Sequence, residues 1–69
     1  MEELKLRDEF IKLGQAMKAA GIVSSGIDAK MLIQDGQVTV NGEVETRSGK
    51  KLYDGDVFEF EGEEFKVVK

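Results

Sequence analysis

Residues 24–42 read SSGIDAKMLIQDGQVTVNG, and this stretch decides the fold because a helix start, a helix stop and a hairpin turn follow one another in it. Ser25 and Asp28 have the S-x-x-D spacing of a capping box, in which the serine hydroxyl accepts a hydrogen bond from the backbone at the third helical position. The apolar residues that follow recur at i, i+3 and i+4 and so share one helix face: Ala29, Leu32 and Ile33. The sequence therefore predicts an amphipathic helix that begins after Ser25.

The second half of the same stretch changes to the period of a strand. Gly36 is well placed to adopt the left-handed conformation that ends a helix. Val38 and Val40 then alternate with polar residues, which is the spacing of a half-buried strand. Asn41-Gly42 tolerates the two positive φ angles of a type I′ turn. We therefore expect the helix to lead directly into a β-hairpin.

This order of elements resembles the S4-type RNA-binding domain, whose helix-helix-hairpin core reads approximately S-R-x-x-A-x-x-L-I-x-x-G-x-V-x-V-N-G. Nine positions stand in register with that pattern: Ser25, Ala29, Leu32, Ile33, Gly36, Val38, Val40, Asn41 and Gly42. The arginine of the family pattern is replaced by Gly26, so the phosphate contact that this arginine implies is absent here. The sequence is most similar to the small stand-alone bacterial members of the family.

The rest of the chain predicts one α+β domain over residues 1–69, with two packed helices against a small, mostly antiparallel sheet of four or five strands. By resemblance this is the alpha-L motif. A first helix runs from Leu13 to a stop at Gly21, because apolar residues recur at helical spacing between them. The predicted strands are a first strand over residues 3–7, extended through residues 10 and 11, and later strands over residues 43–45, 57–60 and 65–68. The last strand is placed to pair with the first.

The charge of the chain is unevenly distributed. The net charge is −4, which taken alone argues against nucleic-acid binding, because such domains are commonly basic. Residues 52–69 carry six acidic residues and two lysines, which accounts for the whole net charge. Residues 46–51, TRSGKK, contain Arg47, Lys50 and Lys51 without an acid. A local basic patch on an acidic protein is therefore expected.

The second helix has a donor edge and an acidic edge on either side of its apolar stripe. Lys30 and Gln34 lie on one side, and Asp28 and Asp35 lie on the other. If the donor edge adjoins the hairpin and the basic loop, a single surface would engage the phosphates and bases of folded RNA: Lys30, Gln34, Arg47, Lys50 and Lys51. By resemblance to the family, Ser25, Asn41 and Lys18 are added to the RNA-binding candidates.

Several of these residues also have a purely structural interpretation. Ser25 is a helix cap, Asn41 is first a turn residue, and Lys30 is of a type that usually lies in solvent without a ligand. Ile27 and Met31 lie away from the main stripe of the second helix. We expect them to pack on another element, and the alternative is an exposed apolar contact for a protein partner.

The aromatic residues offer little for base stacking. Tyr53, beside the basic loop, is the one aromatic residue considered for contact with a base. The four phenylalanines are expected to serve mainly in the core.

Catalysis is poorly supported, because the chain has no histidine and no cysteine. Gly49-Lys50 does not fit a P-loop, and Asp54-Gly55-Asp56 lacks the spacing of a calcium loop. We therefore expect a protein that is not an enzyme, needs no cofactor and binds no metal. The first ten residues are unlike a signal peptide, and no long apolar run is present, so a cytoplasmic protein with no membrane contact is expected.

The sequence thus predicts noncatalytic binding of structured RNA, either ribosomal RNA or a tRNA-like hairpin, by a monomer. The second helix, the Asn-Gly hairpin and the basic loop after it would form the interface. The alternative is a protein-interaction module that docks through its acidic C-terminal strands on a ribosome-associated partner, such as a basic ribosomal protein.

Overall fold

Two helices and seven short strands make up the computed structural model, which describes residues 1–69. In chain order they are β1 (Glu2–Lys5), β2 (Ile11–Lys12), α1 (Leu13–Ala19), α2 (Gly26–Gln34), β3 (Val38–Val40), β4 (Glu43–Val44), β5 (Lys51–Leu52), β6 (Val57–Phe60) and β7 (Glu63–Val68). Neither helix is long or apolar enough to cross a membrane.

The strands form one sheet of five and one of two. The larger sheet has the order β1-β7-β6-β3-β4, and every pair in it is antiparallel except β1 with β7. The smaller sheet is the antiparallel pair β2 and β5. The predicted pairing of the last strand with the first is confirmed, with Leu4 opposite Val67 in parallel register. The predicted α+β class with a mostly antiparallel sheet is therefore confirmed.

The prediction of a long first strand was wrong. β1 ends at Lys5. The last hydrogen bond between this segment and β7 is donated by the backbone N–H of Leu6 to the carbonyl of Val68, at 2.6 Å. The chain then bends through residues 7–9, and residues 11 and 12 pair with β5 in the second sheet instead. The strand is interrupted because the backbone of residues 11 and 12 pairs with β5 and not with β7.

The second helix and the hairpin form as their sequence predicts. The Ser25 hydroxyl accepts a hydrogen bond from the backbone N–H of Asp28 at 3.2 Å, which is the serine half of the capping box. Gly36 has a φ of +79° and ends the helix in the left-handed conformation. Asn41 and Gly42 have φ angles of +51° and +87°, as a type I′ turn requires.

The first helix begins without a side-chain cap. Its N-cap residue, Lys12, makes no capping hydrogen bond. The N–H groups of Leu13 and Gly14 instead donate to the carbonyls of Lys50 and Ser48, at 2.8 and 3.0 Å. These bonds satisfy two of the four N–H groups that every helix start leaves without an intrahelical partner. They also hold the loop of residues 46–50 against the start of α1.

The core lies where the two helices meet the inner face of the larger sheet. Twelve residues are buried, and all of them are apolar: Leu6, Leu13, Ala16, Met17, Ala29, Ile33, Val38, Val40, Leu52, Phe58, Phe65 and Val67. Phe58 and Phe65 lie opposite each other on β6 and β7, with their rings stacked at 5.0 Å between centroids. Phe60 packs against this core, whereas Phe10 does not, so the expectation of a core role holds for only three of the four phenylalanines.

The expectation that Ile27 and Met31 pack on another element was wrong. Their exposed fractions are 75% and 64%. Helix α2 buries only the opposite side, through Ala29 and Ile33, and no further layer covers its outer face. The two side chains therefore form an exposed apolar surface on the second helix.

Two glycines near the ends of α2 should respond oppositely to alanine. At Gly36 the positive φ disfavours a side chain, so Gly36→Ala should lower the free energy of unfolding by about 1 to 2 kcal/mol. At Gly26 a Cβ would meet no atom within 4 Å and φ is ordinary, so Gly26→Ala should raise it by about 0.5 to 1 kcal/mol. Urea denaturation followed by circular dichroism measures both. Equal effects at the two positions would contradict the left-handed helix end.

Candidate functional site

Three lysines, one from the N-cap of α1 and one from each helix, gather around a shallow depression of about 320 Å³, here called the lysine surface. Eight residues line it: Lys12, Gly14, Gln15, Lys18, Gly26, Lys30, Ser48 and Gly49. None of these residues is acidic or strongly apolar. The lysine surface is therefore an uninterrupted cationic patch on a protein whose net charge is −4.

The lysine surface is built by three separate segments. Lys12 is the N-cap residue of α1, and Gln15 and Lys18, three residues apart, follow on one side of the helix. Lys30 comes from the middle of α2, and Ser48 and Gly49 come from the loop that the N–H groups of α1 hold in place.

Gly14 lies where the three segments approach one another. A Cβ at Gly14 would lie 3.5 Å from the carbonyl oxygen of Ser48 and 3.9 Å from the Cβ of Ala29. These are ordinary van der Waals distances, so the loop, α1 and α2 meet closely at Gly14.

The lysines of this surface are available to an external anion. The protein contains two ion pairs, Arg47 with Glu45 and Lys69 with Glu9, and neither involves Lys12, Lys18 or Lys30. All three lysines are exposed. Like charges held close together without an internal counterion favour a polyanionic ligand, which neutralises them and releases its own counterions.

The candidates from the basic loop lie in a different environment. Arg47 and Lys50 line a second depression together with three acidic residues and Asn41. The guanidinium of Arg47 donates to both carboxylate oxygens of Glu45, from Nε at 2.9 Å and from an Nη at 3.1 Å. The structure therefore does not join Arg47 and Lys50 to Lys30 in one acid-free surface, and much of the charge of Arg47 is neutralised locally.

Asn41 and Ser25 both make structural hydrogen bonds. The Asn41 side chain donates to the carboxylate of Asp56 at 3.1 Å and accepts from the backbone N–H of Val57 at 2.9 Å. It thereby ties the hairpin turn to the start of β6. The Ser25 hydroxyl is the cap of α2, as described above.

Gln34 and Lys51 lie apart from the lysine surface. Gln34 lines a depression on the outer side of α2 with Met31 and Asp35. The Nζ of Lys51 lies 4.8 Å from the centroid of the Phe10 ring, which places it in a cation–π contact. Of the eight residues that the sequence pointed to, the structure brings together only Lys18 and Lys30 on this surface.

The sequence did not point to the other two long polar side chains of the lysine surface, Lys12 and Gln15. Lys12 and Gln15 precede Lys18 at helical spacing, and this three-residue step is the signal that could have found them. The first helix was predicted from the spacing of its apolar residues alone, and that spacing carries no information about the polar face.

Known proteins are similar to the chain over nearly its whole length. A family model described as the S4 domain matches residues 4–68. The "Probable ribosome maturation protein RlbA" of Bacillus subtilis (strain 168) is 44% identical over 66 residues, covering 94% of this chain and 93% of that protein. YbcJ of Escherichia coli (strain K12) is 40% identical over 58 residues, covering 84% and 83%.

A solved structure agrees with this similarity. The solution structure of YbcJ from E. coli, described as revealing an alfaL motif involved in RNA binding, matches with a TM-score of 0.75 and 36% sequence identity. The match covers 100% of this chain and 89% of that chain.

The ion pair of Glu45 should be visible in an acid titration. The hydrogen bonds from the Arg47 side chain lower the pKa of Glu45 from its ordinary value of 4.5 to about 2, against the opposing effect of burial. Because the folded pKa is depressed, the stabilisation is complete above pH 4.5 and is lost as the pH falls toward 2. Carboxyl carbon NMR shifts of Glu45 against pH measure this value.

Two variants separate the contributions of Arg47 and Lys50 to the lowered pKa of Glu45. Arg47→Ala should return the pKa of Glu45 to its ordinary value or above it, because burial, which raises the pKa, then outweighs the charge of Lys50. Lys50→Ala should move the pKa little, since the charge of Lys50 is the smallest contribution. An ordinary pKa in the unmodified protein would mean that the pair does not form in solution.

Proposed function

The chain belongs to the S4 domain family, and we propose that it binds structured RNA, with ribosomal RNA or a tRNA-like hairpin as its target, and catalyses no reaction. The resemblance read from residues 24–42 is confirmed by the family match over residues 4–68. The expected alpha-L arrangement is confirmed by the structural match to YbcJ.

The lysine surface is the observation that carries this proposal. It presents three exposed lysines with no acidic residue among them on a protein that is acidic overall. At ~0.15 M salt the Debye length is about 8 Å, so the acids elsewhere on the molecule only partly cancel this local field. Phosphate groups are the RNA feature that such a surface attracts.

The mechanism that we propose is recognition of shape, with the lysines supplying affinity. Phosphate contacts from Lys12, Lys18 and Lys30 would fix the orientation of the RNA and carry little information about base sequence. A helical RNA presents its phosphates and 2′-hydroxyls, whereas its deep, narrow major groove is closed to side chains. The packing of α1 on α2 and the hydrogen bonds from α1 to the loop suit the recognition of such a fixed geometry.

The remaining candidates would act at the border of this interface. Arg47 must exchange its bonds to Glu45 for bonds to a phosphate, so we assign it a smaller contribution than the lysines. Lys50 and Lys51 extend the charge beyond the loop. Gln34 would reach the RNA only at the far side of α2, and Ser25 and Asn41 would act mainly by holding their elements in place.

The acidic hairpin of β6 and β7 would keep RNA on one side of the protein. Glu59 lies directly opposite Glu64 across these strands, and Glu61 and Glu63 are close in sequence. Like charges in this position repel each other, and they also repel RNA. No residue of the hairpin lines the lysine surface.

A ribosomal target is favoured by a relative rather than by geometry. The B. subtilis relative carries the name of a ribosome maturation protein, and we extend this association to the present chain as part of the proposal. Docking of the acidic hairpin on a basic ribosomal protein is the rival interpretation, and the experiment below separates the two.

Removing two lysines from the surface should weaken RNA binding. Lys12→Ala with Lys30→Ala should raise the Kd for a ribosomal RNA hairpin roughly tenfold at ~0.1 M salt and reduce the slope of log K against log salt by about 2. Lys66→Ala with Lys69→Ala changes the net charge equally at lysines outside the surface, and should leave both quantities nearly unchanged. Fluorescence anisotropy at several salt concentrations gives both.

Equal losses in the two double variants would show that only net charge matters and would contradict a defined site. Backbone amide shifts locate the contact independently. Shifts confined to residues 54–64 with a basic ribosomal protein, with none on adding RNA, would replace the RNA proposal with the protein-docking one.

The missing family arginine can be restored as a second test. A Cβ at Gly26 meets no atom within 4 Å, φ is ordinary, and Gly26 lines the lysine surface. Gly26→Arg should therefore tighten RNA binding several-fold and increase the salt slope by about 1. Gly26→Ala is the neutral control, and Gly26→Glu should weaken binding. Equal affinities of the Gly26→Arg and Gly26→Glu variants for RNA would show that the RNA binds elsewhere on the protein.

A further inference from the structure

A groove of about 470 Å³ lies between the β1–β2 segment and α1, here called the β1–α1 groove. Gln15 and Lys18 line both this groove and the lysine surface. The two sites are therefore continuous across one side of α1. A ligand that is held at Lys18 through a phosphate extends naturally into the groove.

We propose that the β1–α1 groove holds one unpaired nucleotide of the bound RNA, with its base packed against Phe10 and its phosphate at the rim. The inference rests on the proposed function and adds a second contact to it. It also predicts which RNAs are preferred, since a perfectly paired helix cannot offer a base to the groove.

Phe10 is the residue that points to a base. It is the only phenylalanine that is neither buried in the core nor packed against it. Its ring lies 6.0 Å from that of Tyr53, and the Nζ of Lys51 lies over one face of it at 4.8 Å from the centroid. These two residues, and not the core, hold the ring in position. An aromatic side chain that lines an open groove offers a stacking surface to any base.

The floor and rim of the groove suit the two parts of a nucleotide. Half of the lining residues are apolar, including Leu4 and Ile11, which provides a floor for a flat ring. The rim carries Lys5, Arg7 and Lys18 against a single acid, Asp8. Neither ion pair of the protein involves these three cations. The balance of charge favours an anionic ligand with an apolar, planar group.

Gln15 lies at the junction of the two sites. Its side-chain amide has an NH₂ group that donates hydrogen bonds and a carbonyl oxygen that accepts them, which matches the donors and acceptors on the edge of a base. It is exposed on α1, between the lysines and the groove. A base that enters the groove passes this amide, so Gln15 is placed to bond to the base edge.

The test compares two RNA hairpins that differ by one unpaired adenosine bulge. The full-length protein should bind the bulged hairpin about tenfold more tightly than the fully paired one. Phe10→Ala should abolish this preference while leaving the affinity for the paired hairpin unchanged, and Phe10→Tyr, which keeps a ring, should retain it. Met31→Ala removes an exposed apolar side chain outside the groove and should change neither affinity.

The outcomes separate this inference from the proposed function. One outcome is that both hairpins bind equally, that Phe10→Ala has no effect, and that Lys12→Ala with Lys30→Ala weakens binding. This result would overturn the nucleotide site in the groove and keep the RNA-binding function. Binding of neither hairpin would overturn both. A loss of affinity for both hairpins with Phe10→Ala, and equally with Phe10→Tyr, would reduce Phe10 to a structural residue. Amide shifts in the groove caused by an acidic, phenylalanine-containing peptide, and not by bulged RNA, would assign the groove to a protein ligand.

Discussion

Two backbone hydrogen bonds hold together the parts of this protein that are far apart in sequence. The N–H groups of Leu13 and Gly14 need acceptors, because α1 has no side-chain cap, and the carbonyls of Lys50 and Ser48 provide them. A loop that follows the hairpin therefore caps a helix that precedes it. Without this union the loop would have no fixed position, and the lysine surface would lose one of its three sides.

The same union explains how an acidic protein can present a cationic surface. Lys12 and Lys30 are brought together by the packing of α1 on α2, while Ser48 and Gly49 contribute only small, uncharged groups between them. The acidic residues lie outside this surface, among them Glu45, which is paired with Arg47, and Glu59 and Glu64 on the β6–β7 hairpin. Net charge thus does not describe the local electrostatic field of a domain whose charges are separated by its fold.

Local signals in the sequence were sufficient for most of the fold. Ser25, Gly36 and Asn41-Gly42 each specify the backbone by themselves, so the second helix and the hairpin follow from short-range chemistry. The candidate site was less predictable, because the capping of α1 joins segments that are far apart in sequence. The pairing of Arg47 with Glu45 is local, since the acid lies only two residues away, just before the basic loop. The interruption of the first strand again depends on a distant segment, since β5 is the partner that captures residues 11 and 12.

The parallel pairing of β1 with β7 bears on how the protein acquires its structure. During synthesis β1 emerges first and β7 last, and β1 is hydrogen-bonded to no other strand. Contacts between such distant parts of a chain close slowly, because the intervening loop must lose its conformational entropy first. The larger sheet therefore gains β1 only after residues 63–68 have been synthesised, which makes this parallel pairing a late step in folding.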